Sequence, residues 1–168
     1  LYKNMWVNKH CPKTFDEIVG NKDVVQRFKT MAISKNVQHM VLCGPTGVGK
    51  STMVNILVQR VLGKHMQHAL LRFNSSDERG IQTIREKIHQ FVPKLIGSNH
   101  ALKIIVFEEA ETIGEGVQQM MRRLMEKHSH HTAFIFVCTN MHGIIETLQS
   151  RCQIFRLGVV TPDESRLL

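Results

Sequence analysis

Apolar positions along the chain fall into five short runs that longer amphipathic stretches separate. The runs occupy residues 39–43, 69–73, 102–107, 133–138 and 153–157. They are almost unbroken and rich in β-forming residues, which is typical of strands buried on both faces. Helical periodicity predicts four helices, at residues 21–34, 50–62, 80–92 and 115–127. This alternation predicts an α/β fold with three layers and a mainly parallel five-stranded sheet.

Composition places the chain among globular domains. Of its 168 residues, 42% are hydrophobic and 21% are charged, which suits one packed core and excludes a disordered or fibrous class. No apolar run approaches the ~18 residues that a membrane-spanning helix needs. Residues 1–13 lack the apolar core of a signal peptide, so neither a membrane nor a secreted protein is indicated. The four cysteines form no CxxC motif, which predicts reduced thiols and an intracellular compartment.

The net charge of the chain does not by itself identify a binding partner. Lysine and arginine outnumber aspartate and glutamate by 22 to 14, giving a formal net charge of +8. A basic surface releases counterions from nucleic acid, but charge alone does not decide between nucleic acid and other anions. His128, His130 and His131 suggest a zinc site, but no cysteine or acidic partner has the spacing that such a site needs. We therefore favour a solvated helix end for these histidines.

The strongest chemical signal is a glycine-rich loop at residues 44–51. Its sequence GPTGVGKS matches the pattern GxxxxGK[ST] and lies between a predicted strand and a predicted helix, as the motif requires. The glycines let backbone N–H groups wrap a phosphate, and the helix N-terminus adds its positive dipole end. Lys50 would reach the β- and γ-phosphates, Ser51 would hold Mg²⁺, and Thr52 would add a hydroxyl near the α-phosphate.

A second signal is the acidic end of the third strand, LKIIVFEEAE at residues 102–111. In an α/β sheet, ligands bind at the carboxyl ends of the strands. One carboxylate there can organise Mg²⁺ through its waters, and the next can polarise an attacking water. The alternative is that these acidic residues begin a helix, where the helix dipole favours negative charge without any catalytic role. The phosphate-binding loop upstream favours the functional interpretation.

Taken together, these motifs resemble the clamp-loader branch of the AAA+ ATPases, in particular the small subunits of replication factor C. The shared runs are WVNK (6–9), IVGN (18–21), NSSDERGI (74–81), EGVQQMMRRLME (115–126) and IIETLQSRC (144–152). The resemblance implies an AAA+ ATP-binding core at 1–158, with an adenine-pocket segment at 1–20. It also implies that 159–168 are a linker and the start of a helical lid domain, before which the chain is truncated.

By position, the resemblance implies a nucleotide site with ATP and Mg²⁺ as ligands. Val7 and Val19 would line the adenine pocket. The phosphates would be held by Gly44, Pro45, Thr46, Gly47, Val48, Gly49, Lys50, Ser51 and Thr52. Glu109 takes the place of the catalytic glutamate, and Glu108 that of the aspartate that organises Mg²⁺ together with Ser51. Thr139 matches the polar sensor of the γ-phosphate, with neighbouring Asn140 as the fallback.

The resemblance also implies residues that act outside the chain's own nucleotide site, on a neighbouring subunit or on DNA. Arg151 matches the arginine finger, which in this family acts in trans on ATP bound to the adjacent subunit. An arginine suits this role because its guanidinium has a fixed charge and several hydrogen-bond donors for the charge that develops on the phosphate. The alternative is a structural ion pair between Arg151 and a nearby acid such as Glu146. The resemblance also implies DNA-binding residues, which lie on or beside the helix that the family turns toward the DNA backbone: Arg79, Arg85 and Lys87.

Four positions depart from the family pattern. The aspartate before the catalytic glutamate is Glu108 here, one methylene longer, and Glu111 likewise replaces an aspartate. A tyrosine-arginine pair near the N-terminus is replaced by residues 10–11, His-Cys, and the sensor asparagine is Thr139. These changes affect the geometry of Mg²⁺ binding, the packing of the adenine pocket and the side chain that senses the γ-phosphate.

The resemblance implies an ATP-hydrolysing subunit of a replication clamp loader that opens a ring-shaped sliding clamp and loads it onto primer–template DNA. Its partners would be other clamp-loader subunits in a hetero-pentamer, the clamp and DNA, in the nucleus and without a membrane. Two alternatives remain open. One is a structural subunit that binds nucleotide without hydrolysing it, which Glu108 suggests. The other is another AAA+ motor such as a branch-migration helicase.

Overall fold

The computed structural model describes residues 11–74, 81–92 and 102–160, in which strands alternate with helices. The strands are β1 (Met40–Cys43), β2 (Leu70–Asn74), β3 (Lys103–Glu108), β4 (Thr132–Cys138) and β5 (Gln153–Arg156). The helices are α1 (Lys22–Ser34), α2 (Lys50–Leu62), α3 (Met66–Ala69), α4 (Ile81–Phe91), α5 (Glu115–His128) and α6 (Glu146–Gln149). Short 3₁₀ helices lie at Phe15–Glu17, Gly63–His65, Ala110–Thr112 and Met141–Gly143.

The five strands form one parallel sheet in the order β2-β3-β4-β1-β5. From β1 the chain crosses to β2 at one edge of the sheet and returns toward β1 through β3 and β4. It then adds β5 on the other side of β1. Strand β1 is therefore flanked by two strands that come late in the chain, and a crevice opens at the carboxyl ends where the order reverses. This arrangement confirms the predicted parallel α/β sheet.

Helices cover both faces of the sheet because its side chains alternate between two buried cores. On one face, Met40 and Leu42 of β1 join Phe28 of α1 and Leu57 of α2. On the other face, Val41 joins residues of α4, α5 and α6. A parallel sheet needs cover on both sides, since its strands are apolar throughout. The three layers that the sequence predicts are thus present.

Element boundaries differ from the predictions by at most one residue in most cases. One stretch differs from the prediction in its type of secondary structure. Residues 66–69, before β2, form the helix α3, so that Ala69 ends a helix and does not begin the strand. Helix α6 was not predicted, because four residues are too few to show helical periodicity. In the part of the chain that the structure describes, no helix is both long and apolar enough to cross a membrane.

All four cysteines are free thiols. Cys138 is buried, and burial raises the pKa of its thiol to about 12. Burial likewise raises the pKa of the Cys152 thiol to about 12. Both side chains are therefore protonated packing groups at neutral pH, as the apolar run around Cys138 predicts. Cys11 is exposed and lies outside the core.

Candidate functional site

A cleft of about 390 Å³ lies at the carboxyl ends of β1, β3 and β4. Its walls are the loop after β1, the acidic end of β3 and the end of β4. The sequence-predicted site residues that line it are Thr46, Gly47, Gly49, Lys50, Ser51, Thr52, Glu108, Glu109 and Thr139. It is also lined by Glu111, Val137 and Cys138, to which the sequence assigned no role in the site.

The loop between β1 and α2 depends on its glycines for two different reasons. Gly47 and Gly49 adopt φ angles of +85° and +89°, a left-handed conformation that side-chain-bearing residues rarely take. Gly44 is restricted by space, because a Cβ there would lie 2.5 Å from the carbonyl oxygen of Leu157. Nothing lies within 4 Å of a Cβ built at Gly47 or Gly49, so the backbone of the loop faces open space on the cleft side.

Lys50 is the first residue of α2, and its side chain is buried beneath the loop. The ammonium donates to the carbonyl oxygens of Gly44 at 2.6 Å and of Pro45 at 2.7 Å. Those two bonds offset the cost of burying the charge and fix its place at the cleft wall. An ammonium has three protons, so these bonds leave it able to donate to an anion in the cleft as well.

Ser51 and Glu108 place two oxygen ligands side by side. The Ser51 hydroxyl donates to Oε2 of Glu108 at 2.8 Å, joining the start of α2 to the end of β3. The other carboxylate oxygen, Oε1, accepts from Nη1 of Arg72 at 3.3 Å. Hydroxyl and carboxylate oxygens are what Mg²⁺ prefers. The donor set therefore fits the metal that the phosphate-binding loop implies.

Glu109 follows β3 in a left-handed backbone conformation, with φ +50°. That conformation costs roughly 1–2 kcal/mol for a residue with a side chain. Thr112 stabilises the turn, because its N–H and its hydroxyl each donate to the carbonyl oxygen of Glu109 at 3.0 Å. The turn leaves the Glu109 side chain exposed on the cleft wall. A carboxylate so placed can accept a proton from a water in the cleft.

Thr139 is held in place by Glu111. Both the N–H and the hydroxyl of Thr139 donate to Oε1 of Glu111, at 2.9 Å and 2.5 Å. Gly143 makes room for this contact, because a Cβ there would lie 2.5 Å from the Cβ of Glu111. Glu111 thus fixes the hydroxyl at the end of β4. The sequence signal for it was the acidic residue two positions after Glu109.

Asn140 does not line the cleft. Its side-chain oxygen accepts from the N–H of His142 at 2.9 Å and caps the 3₁₀ helix that follows. Between the two sensor candidates, the geometry favours Thr139, because only Thr139 faces the cleft.

Arg151 lies away from the cleft of its own chain. It precedes the amino end of β5, whereas the cleft is at the carboxyl ends of the strands. Its partner is Glu126 of α5, with Nε 2.9 Å and Nη2 2.6 Å from Oε1, and Nη1 donates to the carbonyl oxygen of Thr147 at 2.9 Å. The acid that pairs with Arg151 is therefore Glu126 and not Glu146.

The segment with Val19 is tied to the chain that follows β5. The side-chain amide of Asn21 donates to the carbonyl of Gly158 at 3.1 Å and accepts from its N–H at 2.8 Å. The chain at Gly158 continues directly from Leu157, which covers Gly44 of the phosphate-binding loop. Val19 is half-buried beside this connection but does not line the cleft. Val7 lies outside the described residues.

Arg85 and Lys87 are both exposed on α4, whereas Arg79 lies outside the described residues. Ile84 and Ile88 form the buried stripe of the helix. Residues two positions apart on a helix differ by about 200° around its axis, so Arg85 and Lys87 flank this stripe on different sides. The two cations do not form one face.

The fold and the cleft agree with a known family. The profile described as "ATPase family associated with various cellular activities (AAA)" matches residues 40–158. The chain belongs to this family, and its cleft is that of an AAA ATPase domain.

The curated relatives that match belong to a narrower class than the AAA family, the replication factor C subunits. The chain is 38% identical over 162 residues to "Replication factor C subunit 4" of Saccharomyces cerevisiae, covering 95% of the chain and 50% of that protein. It is 36% identical over 160 residues to "Replication factor C small subunit" of Staphylothermus marinus, covering 95% and 49%. These matches confirm the resemblance to replication factor C small subunits. The chain spans about half the length of the curated relatives it matches.

The IVGN run at 18–21 predicts a resemblance to the version called subunit two in humans and four in budding yeast, and the yeast and archaeal subunits match at similar identities. Among solved structures, the chain is similar to Thermotoga maritima RuvB carrying P216G, with a TM-score of 0.69 and 18% identity. That match covers 91% of this chain and 51% of the other. At such an identity it shows the fold alone.

Proposed function

We propose that this chain is the ATP-binding and ATP-hydrolysing core of a replication clamp-loader subunit. The observation that carries the proposal is the convergence at one cleft of a phosphate-binding loop, a buried ammonium, a hydroxyl–carboxylate pair and a left-handed turn with an exposed acidic side chain. Lys50, Ser51, Glu108 and Glu109 supply these groups.

Each group has a distinct part in handling ATP. Backbone N–H groups of residues 46–52 and the ammonium of Lys50 bind the phosphates, because both carry positive charge into the cleft. Ser51 and Glu108 hold Mg²⁺, which when bound neutralises charge on the β- and γ-phosphates. Val19, beside the connection after β5, contributes to the adenine pocket, together with Val7.

Hydrolysis requires a base in the cleft and a cation that enters it from outside. Glu109 polarises the attacking water and takes its proton, because its carboxylate lies on the cleft wall. Thr139 donates its hydroxyl proton to an oxygen of the γ-phosphate in exchange for the bond to Glu111, while its N–H keeps the bond to Glu111. Arg151 lies outside its own chain's cleft, which supports action on ATP bound to a neighbouring subunit.

The output of the ATPase would be the opening and loading of a ring-shaped sliding clamp on primer–template DNA. This rests on the names of the curated relatives, because the cleft identifies phosphate handling and not the load that is moved. The same relatives support assembly into a hetero-pentamer with other clamp-loader subunits, and the yeast relative supports work in the nucleus. The core would span 1–158, with residues 159–168 beginning a helical lid domain.

A subunit that binds nucleotide without hydrolysing it is the second candidate. The observation that favours it is Glu108, whose longer side chain is engaged by both Arg72 and Ser51. Another AAA+ motor, such as a branch-migration helicase, would share the fold but not the identity to replication factor C small subunits.

The experiment is to assemble the intact protein with its partner subunits and to follow ATP turnover as clamp and primed DNA are added. We expect turnover that both additions stimulate together. ATP binding at this subunit without turnover would select the structural candidate. Turnover that DNA junctions stimulate without any clamp would select the other motor.

A further inference from the structure

Arg72 belongs to a ring next to the phosphate-binding loop, in which side-chain hydrogen bonds join four residues and the backbone of α2 closes the ring. Its Nη1 donates to Oε1 of Glu108 at 3.3 Å, and its Nη2 donates to the side-chain oxygen of Asn55. Ser51 donates to the other oxygen of Glu108 at 2.8 Å. Ser51 and Asn55 lie four positions apart on α2, so they stand on one face of that helix. The ring therefore links β2, β3 and α2.

This ring is more than a surface ion pair. The Glu108 side chain is only 17% exposed and that of Arg72 is 31% exposed. A lone exposed pair would leave both side chains free to change rotamer. Here the guanidinium is fixed at two of its nitrogens, by partners from two different elements. The planar fork of arginine suits such a bridge, because its donors keep a fixed geometry.

The ring divides the two oxygens of Glu108 between two partners. Arg72 takes Oε1, and Oε2 stays beside the hydroxyl of Ser51. The family has an aspartate at this position, and the added methylene of Glu108 gives the carboxylate one more torsion. A carboxylate that is free to rotate would spend less time beside Ser51. The ring removes that freedom.

We propose that Arg72, anchored by Asn55, is a positioning residue that fixes Glu108 as a Mg²⁺ ligand beside Ser51, compensating for the added methylene. This inference rests on the proposed function, since it concerns the metal of the same ATP site. Arg72 touches neither nucleotide nor metal in this scheme. It acts by holding one carboxylate oxygen so that the other faces the Ser51 hydroxyl.

The guanidinium has a second, opposite influence on a divalent cation, because like charges repel. If repulsion dominated, removal of Arg72 would strengthen metal binding. If positioning dominates, removal weakens it. The two effects differ in sign, so a measurement of metal affinity separates them.

The test uses Mn²⁺ as a paramagnetic probe, with the intact protein and a non-hydrolysable ATP analogue. Electron paramagnetic resonance counts free Mn²⁺ and gives its affinity directly. We expect Arg72→Ala to weaken Mn²⁺ binding about tenfold, the lower end of what loss of a ligand's supporting partner costs. Affinity for the analogue in EDTA should be unchanged, because the ring does not include the phosphate-binding groups. Arg60→Ala, which removes an exposed arginine of α2 outside the ring, is the control for lost charge.

A second substitution tests the compensation itself. In a Glu108→Asp background the shorter carboxylate does not depend on Arg72, so Arg72→Ala should change Mn²⁺ affinity less than twofold. Equal losses in both backgrounds, or tighter Mn²⁺ binding by Arg72→Ala, would overturn the inference. Thermal unfolding without nucleotide checks that each variant is folded. Failure of the wild type to bind the analogue would instead overturn the proposed function.

Discussion

Arg151 and Glu126 form an ion pair on the surface of the domain, with Nη2 2.6 Å from Oε1. Both side chains are at least one-third exposed, so water screens the pair, and such pairs stabilise a fold by only about 0.2–1 kcal/mol. The pair is therefore weak enough to be exchanged for a phosphate of a neighbouring subunit. In this chain Glu126 fixes the direction of the guanidinium.

We expect Arg151→Ala to leave ATP binding by this chain intact and to slow hydrolysis in the assembled complex by roughly 10³-fold or more. The reason is that Arg151 lies outside the cleft of its own chain. Titration with a fluorescent ATP analogue measures the first quantity, and turnover in mixed assemblies measures the second. Mutant subunits beside wild-type neighbours should silence only the adjoining site.

Glu126→Gln is the matched control, because it removes the ion pair and leaves the arginine in place. Its turnover should stay close to that of the wild type. If Glu126→Gln slowed turnover as much as Arg151→Ala, the pair itself would be what matters. If the isolated chain hydrolysed ATP and Arg151→Ala slowed that reaction, the arginine would act in cis.

Lys50→Ala should abolish tight ATP binding while the fold remains. A methyl group cannot replace the ammonium that faces the phosphates. Isothermal titration calorimetry measures binding, and circular dichroism checks the fold. Unchanged affinity in a folded variant would contradict the assignment of the phosphate-binding loop.

The chain offers a second buried lysine as a control. Lys103 donates to the carbonyl oxygens of Phe91 and Val92, at the start of β3 and away from the cleft. Lys103→Ala leaves those acceptors without this donor, at a cost of about 1–3 kcal/mol. It should lower the free energy of unfolding and leave ATP affinity as it was.

Glu109→Gln should retain ATP binding and nearly stop turnover, because an amide cannot take a proton from water. Thr112 stabilises its left-handed backbone through the carbonyl oxygen of Glu109, a contact that the substitution leaves in place. Single-turnover hydrolysis in the assembled complex measures the effect. Glu115→Gln, an exposed acid at the start of α5, is the control and should turn over normally. Wild-type turnover in the glutamine variant would assign the base to another residue.

Local sequence patterns predicted the fold and the phosphate-binding loop because both depend on residues close together in the chain. The run at 102–107 became β3 within one residue, since burial on both faces leaves an unbroken apolar signature. The loop at 44–51 was predicted as a whole, because its glycines and Lys50 stand at fixed spacings.

The supporting contacts could not be predicted in this way. Arg72 and Glu108 are 36 positions apart, and Glu111 and Thr139 are 28 positions apart. Such pairs depend on strand order and register, which no local period encodes. The partner of Arg151 could not be predicted for the same reason: Glu146 is near in sequence, but the paired acid is Glu126, 25 positions away on α5.

Acid should destabilise the domain through His39. Its Nδ1 accepts the N–H of Phe134 at 3.2 Å, so the neutral imidazole is the bonded form. Burial lowers the pKa of His39 below its ordinary value of 6.5. The unfolded chain therefore binds this proton more readily than the native one. The stability is present above about pH 6.5 and is lost as the pH falls toward the lowered pKa.

Urea unfolding at pH 7.5 and pH 5.5 measures this dependence. The free energy of unfolding should fall between the two, and His39→Gln should reduce the difference. Burial and neighbouring Lys127 also lower the pKa of His128, so part of the dependence should remain. His128→Gln is the matched variant for that part. An unchanged pH difference in His39→Gln would contradict the role of His39.

DNA binding by α4 should depend unequally on Arg85 and Lys87. Both are exposed, but they flank the buried stripe of the helix on different sides. A helix that lies along one strand of the backbone presents one flank to it. We therefore expect one single substitution to alanine to reduce the slope of log affinity against log salt by ~0.9 and the other to change it much less.

Fluorescence anisotropy with labelled primer–template DNA, between 50 and 200 mM salt, measures these slopes. Two primer–templates of different sequence should lose affinity equally, because phosphate contacts carry no sequence information. Lys64→Ala, an exposed cation in the 3₁₀ helix after α2, is the control for lost charge. Equal slopes for Arg85→Ala and Lys87→Ala would mean that DNA spans both flanks of α4. A loss confined to one sequence would contradict backbone tracking, because only contacts with base edges distinguish sequences.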